Sequence, residues 1–467
     1  MESLNLHQRF VVDASWRRPA NGAVVFAGSP IKIFRLGSSG KQIAALLESG
    51  DLLPSGHESL TDRLIDAGAI HRIVSKNDVR PYQPSDITVV IPAFVRSANE
   101  ATQLSNLVSN CGGVFKIVVV DDGSPHALPT LSNATVITLA TNAGPGSARN
   151  AGLAMVTTPL VAFIDIDVTI STVTLSCLVS SFVDERLGII APRVACANSD
   201  STIGKYERVR SPLDLGLIRS RIALGTRVSY VPSALWLCRT KAIRSVNGFD
   251  ESIRVGEDVD ALWRVIAAGW RCHYQPEIIV SHPPRATLLG FIAQRRMYGN
   301  SAAELSARHP GAVAPVRVNA HSAGMWMLIV CGFPLIGALV GAYTVVALAS
   351  KLRDVPNSFQ ESLRLAGLGN LHAARLIANA ITRTWWPIAV VLALFSRRAR
   401  KVLLAAALIP PMYEWWSKRP AIDPLRYLAI RLVDDASYGT GVWEGAIAHR
   451  SVDALMPDVS SWPTNVK

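Results

Sequence analysis

A series of short, continuous Val/Ile-rich runs that begins at residue 87 constrains the fold of this chain more than any other feature. The runs TVVIPAF, FKIVVVDDGS, ATVITLA and LVAFIDID alternate with helical or Gly-rich segments. Apolar runs of this kind are typical of strands in a parallel sheet that helices cover on both faces. We therefore expect an α/β, nucleotide-binding architecture over residues 86–315.

The 467 residues exceed one typical hydrophobic core, so at least two domains are expected. Residues 1–80 have the pattern of a small separate α+β module. VVFAG, IKIFRL and HRIV alternate like strands, whereas GKQIAALL and SLTDRLIDAGAI have helical periodicity. The proline-containing segment NDVRPYQPSD is the expected linker to the α/β domain.

Residues 320–467 are expected to form a membrane-associated helical region. The stretch 324–350 carries no charge and is long enough to cross a hydrocarbon core of ~30 Å. A second stretch, 376–395, contains Arg383 and Pro387 and is the possible second span, while the third, VLLAAALIPPMYEWW, is expected at the interface. Buried or interfacial helices that do not cross a membrane remain the alternative for the second stretch.

The formal charge of +12 is compatible with a nucleic acid, an anionic membrane or a phosphorylated substrate as partner. The basic residues favour the membrane and no nucleic acid, because many of them flank the C-terminal apolar stretches. The six cysteines form no CxxC pair, and no secretion signal is visible at the N-terminus. We therefore expect a cell-membrane protein with a cytoplasmic catalytic domain. The flanking basic residues are Lys351, Arg353, Arg397, Arg398, Arg400 and Lys401.

Asp165 and Asp167 are the candidate metal ligands, because they follow an apolar strand at alternate positions. Carboxylate oxygens at a strand end suit Mg²⁺ or Mn²⁺ bound to a diphosphate. His282, after the strand-like EIIVSH, is the third candidate for the metal or the diphosphate. The alternatives are a solvated turn for the two aspartates and a structural role for the histidine.

Asp121 and Asp122 follow the second Val-rich run and are expected to bind the nucleoside, since ligands of open α/β sheets sit at the carboxyl ends of strands. The Gly-rich segment NAGPGSARNAG supplies Arg149, which could orient Asp121 or contact the uracil. This segment lacks the context of a dinucleotide-binding GxGxxG, so a dehydrogenase is not favoured. A simple turn and a helix entry are the structural alternatives.

Glu257 and Asp258 precede an amphipathic helix. Asp258 is the candidate general base for an acceptor hydroxyl, and Glu257 is expected to bind substrate. Arg295 and Arg296 are candidate phosphate contacts. Helix capping and a solvated helix face are the alternatives for these pairs.

Taken in order, TVVIPAF, VVVDDGS, NAGPGSARNAG, FIDID, GFDE, GEDVDALWR and the later His282 resemble glycosyltransferase family 2 over residues 86–300. The resemblance implies a GT-A fold, a UDP-sugar donor, a divalent metal, inversion at the anomeric carbon and Asp258 as base. The QxxRW signature of processive synthases is absent, because Met297 and Tyr298 stand where Arg and Trp would be. Long processive polymerisation is therefore not expected.

The N-terminal module is similar to PqqD-like peptide-recognition domains. A narrower resemblance, over nearly the whole chain, is to glycosyltransferases that modify a peptide-derived redox cofactor. It implies transfer of one or several sugars, glucose from UDP-glucose, to a hydroxyl of that acceptor. The alternatives are a transferase for lipid-linked or cell-wall glycans and a non-catalytic, membrane-tethered peptide-binding scaffold.

Overall fold

The computed structural model describes residues 9–73, 81–111 and 113–459. It divides into two compact units. The first unit contains Met1–Asn198 and Arg210–Pro283, and the second contains Ser199–Val209 and Pro284–Lys467.

The first unit contains both a small N-terminal module and a large sheet. Its strands are β1 (Arg9–Val12), β2 (Val24–Ala27), β3 (Lys32–Arg35), β4 (Ile70–Ile73), β5 (Ile87–Ala93), β6 (Lys116–Asp121), β7 (Thr135–Thr138), β8 (Leu160–Ile164), β9 (Leu187–Cys196), β10 (Ser220–Arg221), β11 (Leu235–Arg239) and β12 (Arg271–His282). Its helices are α1 (Ser38–Ser49), α2 (Glu58–Asp66), α3 (Ala98–Cys111), α4 (Pro145–Ala154), α5 (Thr174–Val179), α7 (Thr240–Arg244) and α8 (Glu257–Ala267). The helix α6 (Thr202–Arg210) lies almost entirely in the second unit.

The N-terminal module has the strands and helices that the sequence predicts, together with one more strand. β2 and β3 form an antiparallel hairpin, and α1 and α2 bury their apolar faces in a common core. The additional strand β1 pairs antiparallel with β4, so that Arg9 lies opposite Ile73. Its pattern is short and its partner lies some sixty residues away, which explains why local periodicity does not identify it. Similarity to a PqqD-like domain remains a prediction.

Ion pairs fix this module against the sheet. The guanidinium of Arg271, at the start of β12, donates to Asp62 and Asp66 of α2 and to Asp184 at 2.7–2.9 Å. On another side, Arg227 donates both terminal nitrogens to the buried carboxylate of Asp13 at 3.1 Å. The module and the sheet are thus parts of one compact unit.

The main sheet has eight strands among the described residues, in the order β10-β12-β9-β11-β8-β5-β6-β7. β8, β5, β6 and β7 are parallel neighbours, as the sequence predicts. The whole sheet is mixed, because β11 runs antiparallel to both β8 and β9, and β10 runs antiparallel to β12. A strand buried on both faces has the same apolar pattern in either direction, so composition does not encode its orientation.

Apolar clusters cover both faces of the sheet. One face packs against α3 and α5, and the other packs against α4, α7 and α8. Gly152 is needed where α4 crosses β5, because a Cβ there would lie 2.3 Å from Val90 Cγ1. This close approach brings the start of α4 to the carboxyl ends of the central strands.

The second unit is helical over the residues described. Besides α6 it contains α9 (Leu288–Arg308), α10 (Ala320–Val330), α11 (Pro334–Lys351), α12 (Ser358–Arg383), α13 (Trp386–Phe395), α14 (Arg397–Lys418) and α15 (Pro424–Ala448). The stretch 324–350 is not one continuous helix but is divided between α10 and α11, and a span in this region stays a prediction. Gly332 adopts a φ of +92° and Pro334 opens the next helix, so α10 ends and α11 begins within it.

The other two apolar stretches also depart from simple spans. The stretch 376–395 includes a bend of 86° between α12 and α13. The third stretch lies inside α14, which continues through Pro410 and Pro411. By length and composition, α11 could cross a membrane, and the bent pair α12–α13 would be a second candidate if it formed one span. These are the candidates within the part of the chain that the structure describes.

Candidate functional site

The predicted acidic residues lie at one edge of the sheet. β6, β5 and β8 are adjacent and parallel, so their carboxyl ends meet at this edge. Asp121 is the last residue of β6, with its Cα paired to Ala93, and Asp165 directly follows β8. Adjacent strands are ~4.8 Å apart, which puts these two positions about 10 Å from each other across β5.

Asp122 organises the Gly-rich segment. Its carboxylate accepts hydrogen bonds from the backbone N–H groups of Ala143, at 2.7 Å, and Gly144, at 2.9 Å. Gly144 has a φ of +97° and precedes the first turn of α4. The neighbouring Asp121 accepts from the backbone N–H of Ser124 at 2.9 Å. Both carboxylates are buried and both shape the turns at this edge, while their contact with a nucleoside stays a prediction.

Arg149 connects three elements of the site. From α4, its Nη2 donates to Asp165 Oδ1 at 2.8 Å and its Nη1 donates to Glu257 Oε1 at 2.6 Å. The guanidinium also lies over the ring of Phe249, 5.4 Å from its centroid. The sequence-based expectation linked Arg149 to Asp121 or to uracil, whereas its charged contacts among the described residues are with Asp165 and Glu257. Arg149 is therefore a buried link between the DxD turn and the start of α8.

Burial and charge shift the pKa values of this group. Burial and the adjacent Asp258 together raise the pKa of Glu257 to about 7, against the opposing effect of Arg149. Withdrawal from water also raises the pKa of Asp165, although one third of its side chain is exposed. Burial alone would lower the pKa of Arg149, but the nearby carboxylates raise it above its usual value. The cation is thus held permanently between two acidic groups.

Asp258 reaches the same edge through β11. Because β11 is antiparallel to β8, its first residue, Leu235, pairs with Ile164 at the end of β8. The segment before β11 therefore lies beside the DxD turn, and Asp165 N–H donates to the carbonyl of Ala234 at 3.1 Å. In that segment, Ser233 donates its N–H at 2.9 Å and its hydroxyl at 3.2 Å to Asp258 Oδ2.

Sequence reasoning missed Ser233 and Asn150. Asn150 is on α4 next to Arg149, and its amide donates to the carbonyl of Phe249 at 2.8 Å and to Glu251 at 2.9 Å. It thereby fixes the GFDE segment against α4. The Gly-rich segment NAGPGSARNAG, which contains the triplet NAG twice, could have pointed to Asn150. Ser233 had no comparable signal, because its role depends on the direction of β11.

Asp167 and His282 lie together, with Asp167 Oδ2 3.0 Å from His282 Nε2. A two-way backbone bridge between Thr169 and Ser281 brings the end of β12 to the DxD turn. Within the described ranges, no group of three or more His, Cys, Asp or Glu side chains is close enough to hold a metal ion. Asp165 and Asp167 nevertheless fit Mg²⁺ or Mn²⁺, which is commonly held by one or two carboxylates together with substrate phosphates. In that arrangement His282 would orient Asp167.

Arg295 and Arg296 belong to α9 in the second unit, and each has acidic partners within that unit. Arg295 is buried and donates to Glu207 at 2.6 Å and to Asp434 at 3.1 Å. Arg296 is exposed and forms an ion pair with Glu444. A phosphate contact by either residue stays a prediction.

Comparison with known proteins agrees with this arrangement of motifs. The family model for glycosyl transferase family 2 matches residues 88–246. The pre-mycofactocin glycosyltransferases of two Mycobacterium tuberculosis strains, CDC 1551 and H37Rv, are each 36% identical over 96% of this chain and 97% of the relative. The succinoglycan biosynthesis protein ExoO of Rhizobium meliloti is 27% identical over 41% of this chain and 58% of its own length.

Among solved structures, the mannosyltransferase PcManGT of Pyrobaculum calidifontis is 15% identical, with a TM-score of 0.36 over 63% of this chain and 91% of that chain. The sequence relatives carry the assignment: the chain belongs to glycosyltransferase family 2.

Proposed function

We propose that this protein is an inverting, metal-dependent glycosyltransferase that moves glucose from UDP-glucose to a hydroxyl of pre-mycofactocin, a peptide-derived redox-cofactor precursor, and can add several sugars in turn. The observation that carries the proposal is the position of Arg149 between Asp165 of the DxD turn and Glu257 beside Asp258. The name and near full-length similarity of the M. tuberculosis relatives support the choice of acceptor.

In this proposal, Asp258 is the general base that takes the proton from the acceptor hydroxyl as its oxygen attacks the anomeric carbon. Hydrogen bonds from Ser233 and from the N–H of Val259 fix both carboxylate oxygens of Asp258. A carboxylate held in one orientation is suited to accept a proton from a hydroxyl that binds next to it. Inversion follows, because the hydroxyl attacks opposite the departing diphosphate.

Asp165 and Asp167 would hold Mg²⁺ or Mn²⁺, which neutralises the charge that develops on the leaving diphosphate. Arg149 keeps Asp165 in place and His282 does the same for Asp167. Asp121 and Asp122, at the end of β6, would contact the uracil or the ribose. The protein thus holds its carboxylates in position before the donor binds.

The chain is also proposed to associate with the cell membrane, with its catalytic domain in the cytoplasm. Large exposed apolar side chains on α11, α13 and α14 support the association with the membrane. The same observation favours a second candidate function, transfer to a lipid-linked acceptor.

The test measures release of UDP from UDP-glucose by the purified full-length protein with Mn²⁺. Release should require the pre-mycofactocin acceptor, and Asp258→Asn should reduce it at least about a thousandfold while UDP binding by calorimetry persists. Asp200→Asn, at an exposed loop position, is the matched control and should keep full activity.

Three other outcomes of this assay would contradict the proposal or favour another function. Full turnover by Asp258→Asn would remove the assigned base. Release of UDP only with a polyprenyl-phosphate-linked acceptor would favour the second candidate. If the wild-type protein did not bind UDP with Mn²⁺, the non-catalytic scaffold would be the better account.

A further inference from the structure

Two helix turns in the second unit expose an unusual concentration of large apolar side chains. Phe333, Leu335 and Ile336 are exposed at and just after the turn between α10 and α11, and Leu392, Leu394 and Phe395 are exposed at the end of α13, just before the turn to α14. Between 50% and 86% of each side chain is exposed, although these are residue types that are usually buried. We call these six residues the apolar tip.

The two turns form one surface because Arg398 joins them. Its guanidinium donates to the carbonyl of Cys331, at the end of α10. Gly332 follows with a φ of +92°, and a side chain there would collide with the same guanidinium. The α10–α11 turn is therefore fixed beside the first turn of α14.

Basic side chains border the apolar tip on the side of α14. Arg397, Arg398, Arg400 and Lys401, which we call the basic collar, follow Phe395 within six residues. The segments 320–350 and 384–413, which contain the tip and the collar, have no Asp or Glu. An exposed apolar surface bordered by cationic side chains is complementary to a layer of anionic lipid, which presents phosphates above acyl chains.

The shorter helix at each turn limits how deeply the tip can enter, because α11 and α14 on the other side of the turns are longer. α13 has 10 residues and α10 has 11, so they are ~15 Å and ~16 Å long. Each is about half of a ~30 Å hydrocarbon core, and each ends in one of the two turns. The collar also opposes deep insertion, because charged side chains are unfavourable at the centre of a bilayer.

Building on the membrane association proposed above, we propose that the apolar tip inserts into a single leaflet of an anionic bilayer while the basic collar binds lipid phosphates. The chain would then turn back at both tips without crossing the membrane there. A second copy of the chain fits this surface poorly, because its own collar would meet a collar of the same charge.

The first test compares binding of the full-length protein to sedimented vesicles of phosphatidylcholine alone and of phosphatidylcholine with phosphatidylglycerol. Binding should be at least about tenfold tighter with phosphatidylglycerol, since each basic residue near an anionic surface adds to the attraction. The triple variant Arg397→Gln, Arg400→Gln, Lys401→Gln should lose this preference. Arg398 is retained because it holds the two turns together.

The double variant Leu394→Glu, Phe395→Glu should bind neither kind of vesicle. Its matched control is Leu217→Glu, which changes a side chain that is 73% exposed in the first unit and should leave binding unchanged. Equal binding of the wild type to both vesicles would overturn the proposal. So would unchanged binding of the double variant, or a dimer in sedimentation that this variant abolishes.

The second test asks whether the tip crosses. In a Cys177→Ser background, the exposed Cys331 thiol reports on the tip. A membrane-impermeant maleimide sealed inside phosphatidylglycerol vesicles should not label Cys331 when the protein is added outside, and labelling from the lumen would contradict insertion into one leaflet. UDP release with a soluble acceptor and no vesicles is measured in parallel. The tip variants should keep that activity, so failure of the membrane proposal and failure of the proposed function are distinguishable.

Discussion

Arg149 and Asp165 form a 2.8 Å ion pair that links the Gly-rich helix α4 to the DxD turn at the end of β8. The arginine is almost fully buried, whereas one third of the Asp165 side chain is exposed. One end of this pair is thus fixed in the protein, whereas the other is accessible to solvent.

We expect Arg149→Ala to reduce kcat about a hundredfold or more, because Asp165 and Glu257 would lose the cation that orients both. Arg149→Lys should recover only part of this loss, since one ammonium group cannot reproduce the two-pronged contact. Steady-state UDP release and titration with Mn²⁺ measure both effects, and circular dichroism checks the fold. Wild-type kcat and Mn²⁺ dependence in folded Arg149→Ala would rule out this positioning role.

The Glu257 carboxyl should make the free energy of unfolding depend on pH. Its pKa is about 7 in the folded protein against an ordinary 4.5, so the folded state binds the proton more tightly. Its contribution to stability is therefore present below pH 4.5 and is lost as pH rises to 7. Urea unfolding at several pH values should show a decline across this window that Glu257→Gln weakens. A decline of equal size in that variant would assign the effect to other groups.

Ser233→Ala should lower kcat about three- to tenfold and leave the KM for the donor unchanged. The variant removes one of the two hydrogen bonds from Ser233 to Asp258, a loss of ~1 kcal/mol, and keeps the backbone bond. Ser229→Ala, in the same loop, removes a hydroxyl that donates to the Thr226 carbonyl and should change neither constant. An equal loss of activity in both variants would indicate a general effect on the loop.

Arg271→Met should lower the free energy of unfolding by about 3–5 kcal/mol, because it leaves three carboxylates without their shared cation. Arg186 is the matched control: it pairs with Asp66 but is about half exposed. Arg186→Met should cost less than about 1 kcal/mol. Urea denaturation of both variants measures the difference, and similar losses would mean that burial of Arg271 does not matter.

Gly152→Ala should destabilise the protein by about 1–3 kcal/mol, because its Cβ would overlap Val90. In contrast, Gly367→Ala, in the middle of α12 with no atom near the added Cβ, should stabilise it by about 0.5–1 kcal/mol. Thermal unfolding provides the comparison. A neutral Gly152→Ala would show that α4 can move away from β5 without cost.

Local sequence patterns were sufficient to predict the features that depend on consecutive residues, namely the central strands and the acidic residues that follow them. The apolar runs identify β5, β6 and β8 and predict that the acids after them share one edge, which the parallel pairing explains. The same patterns could not reveal the breaks in the C-terminal stretches. An apolar segment such as 324–350 has the composition of a span whether or not a glycine with positive φ divides it.

The sequence by itself determined the family, the α/β character of the catalytic core and the set of acidic turns, because strand periodicity and short motifs are properties of neighbouring residues. Only the tertiary structure decided which side chains work together. Arg149 forms ion pairs with Asp165 and Glu257 because Gly152 allows α4 to pack closely against the sheet. Ser233 reaches Asp258 because β11 runs antiparallel to β8, and strand direction depends on the packing of the whole sheet rather than on local hydrophobicity.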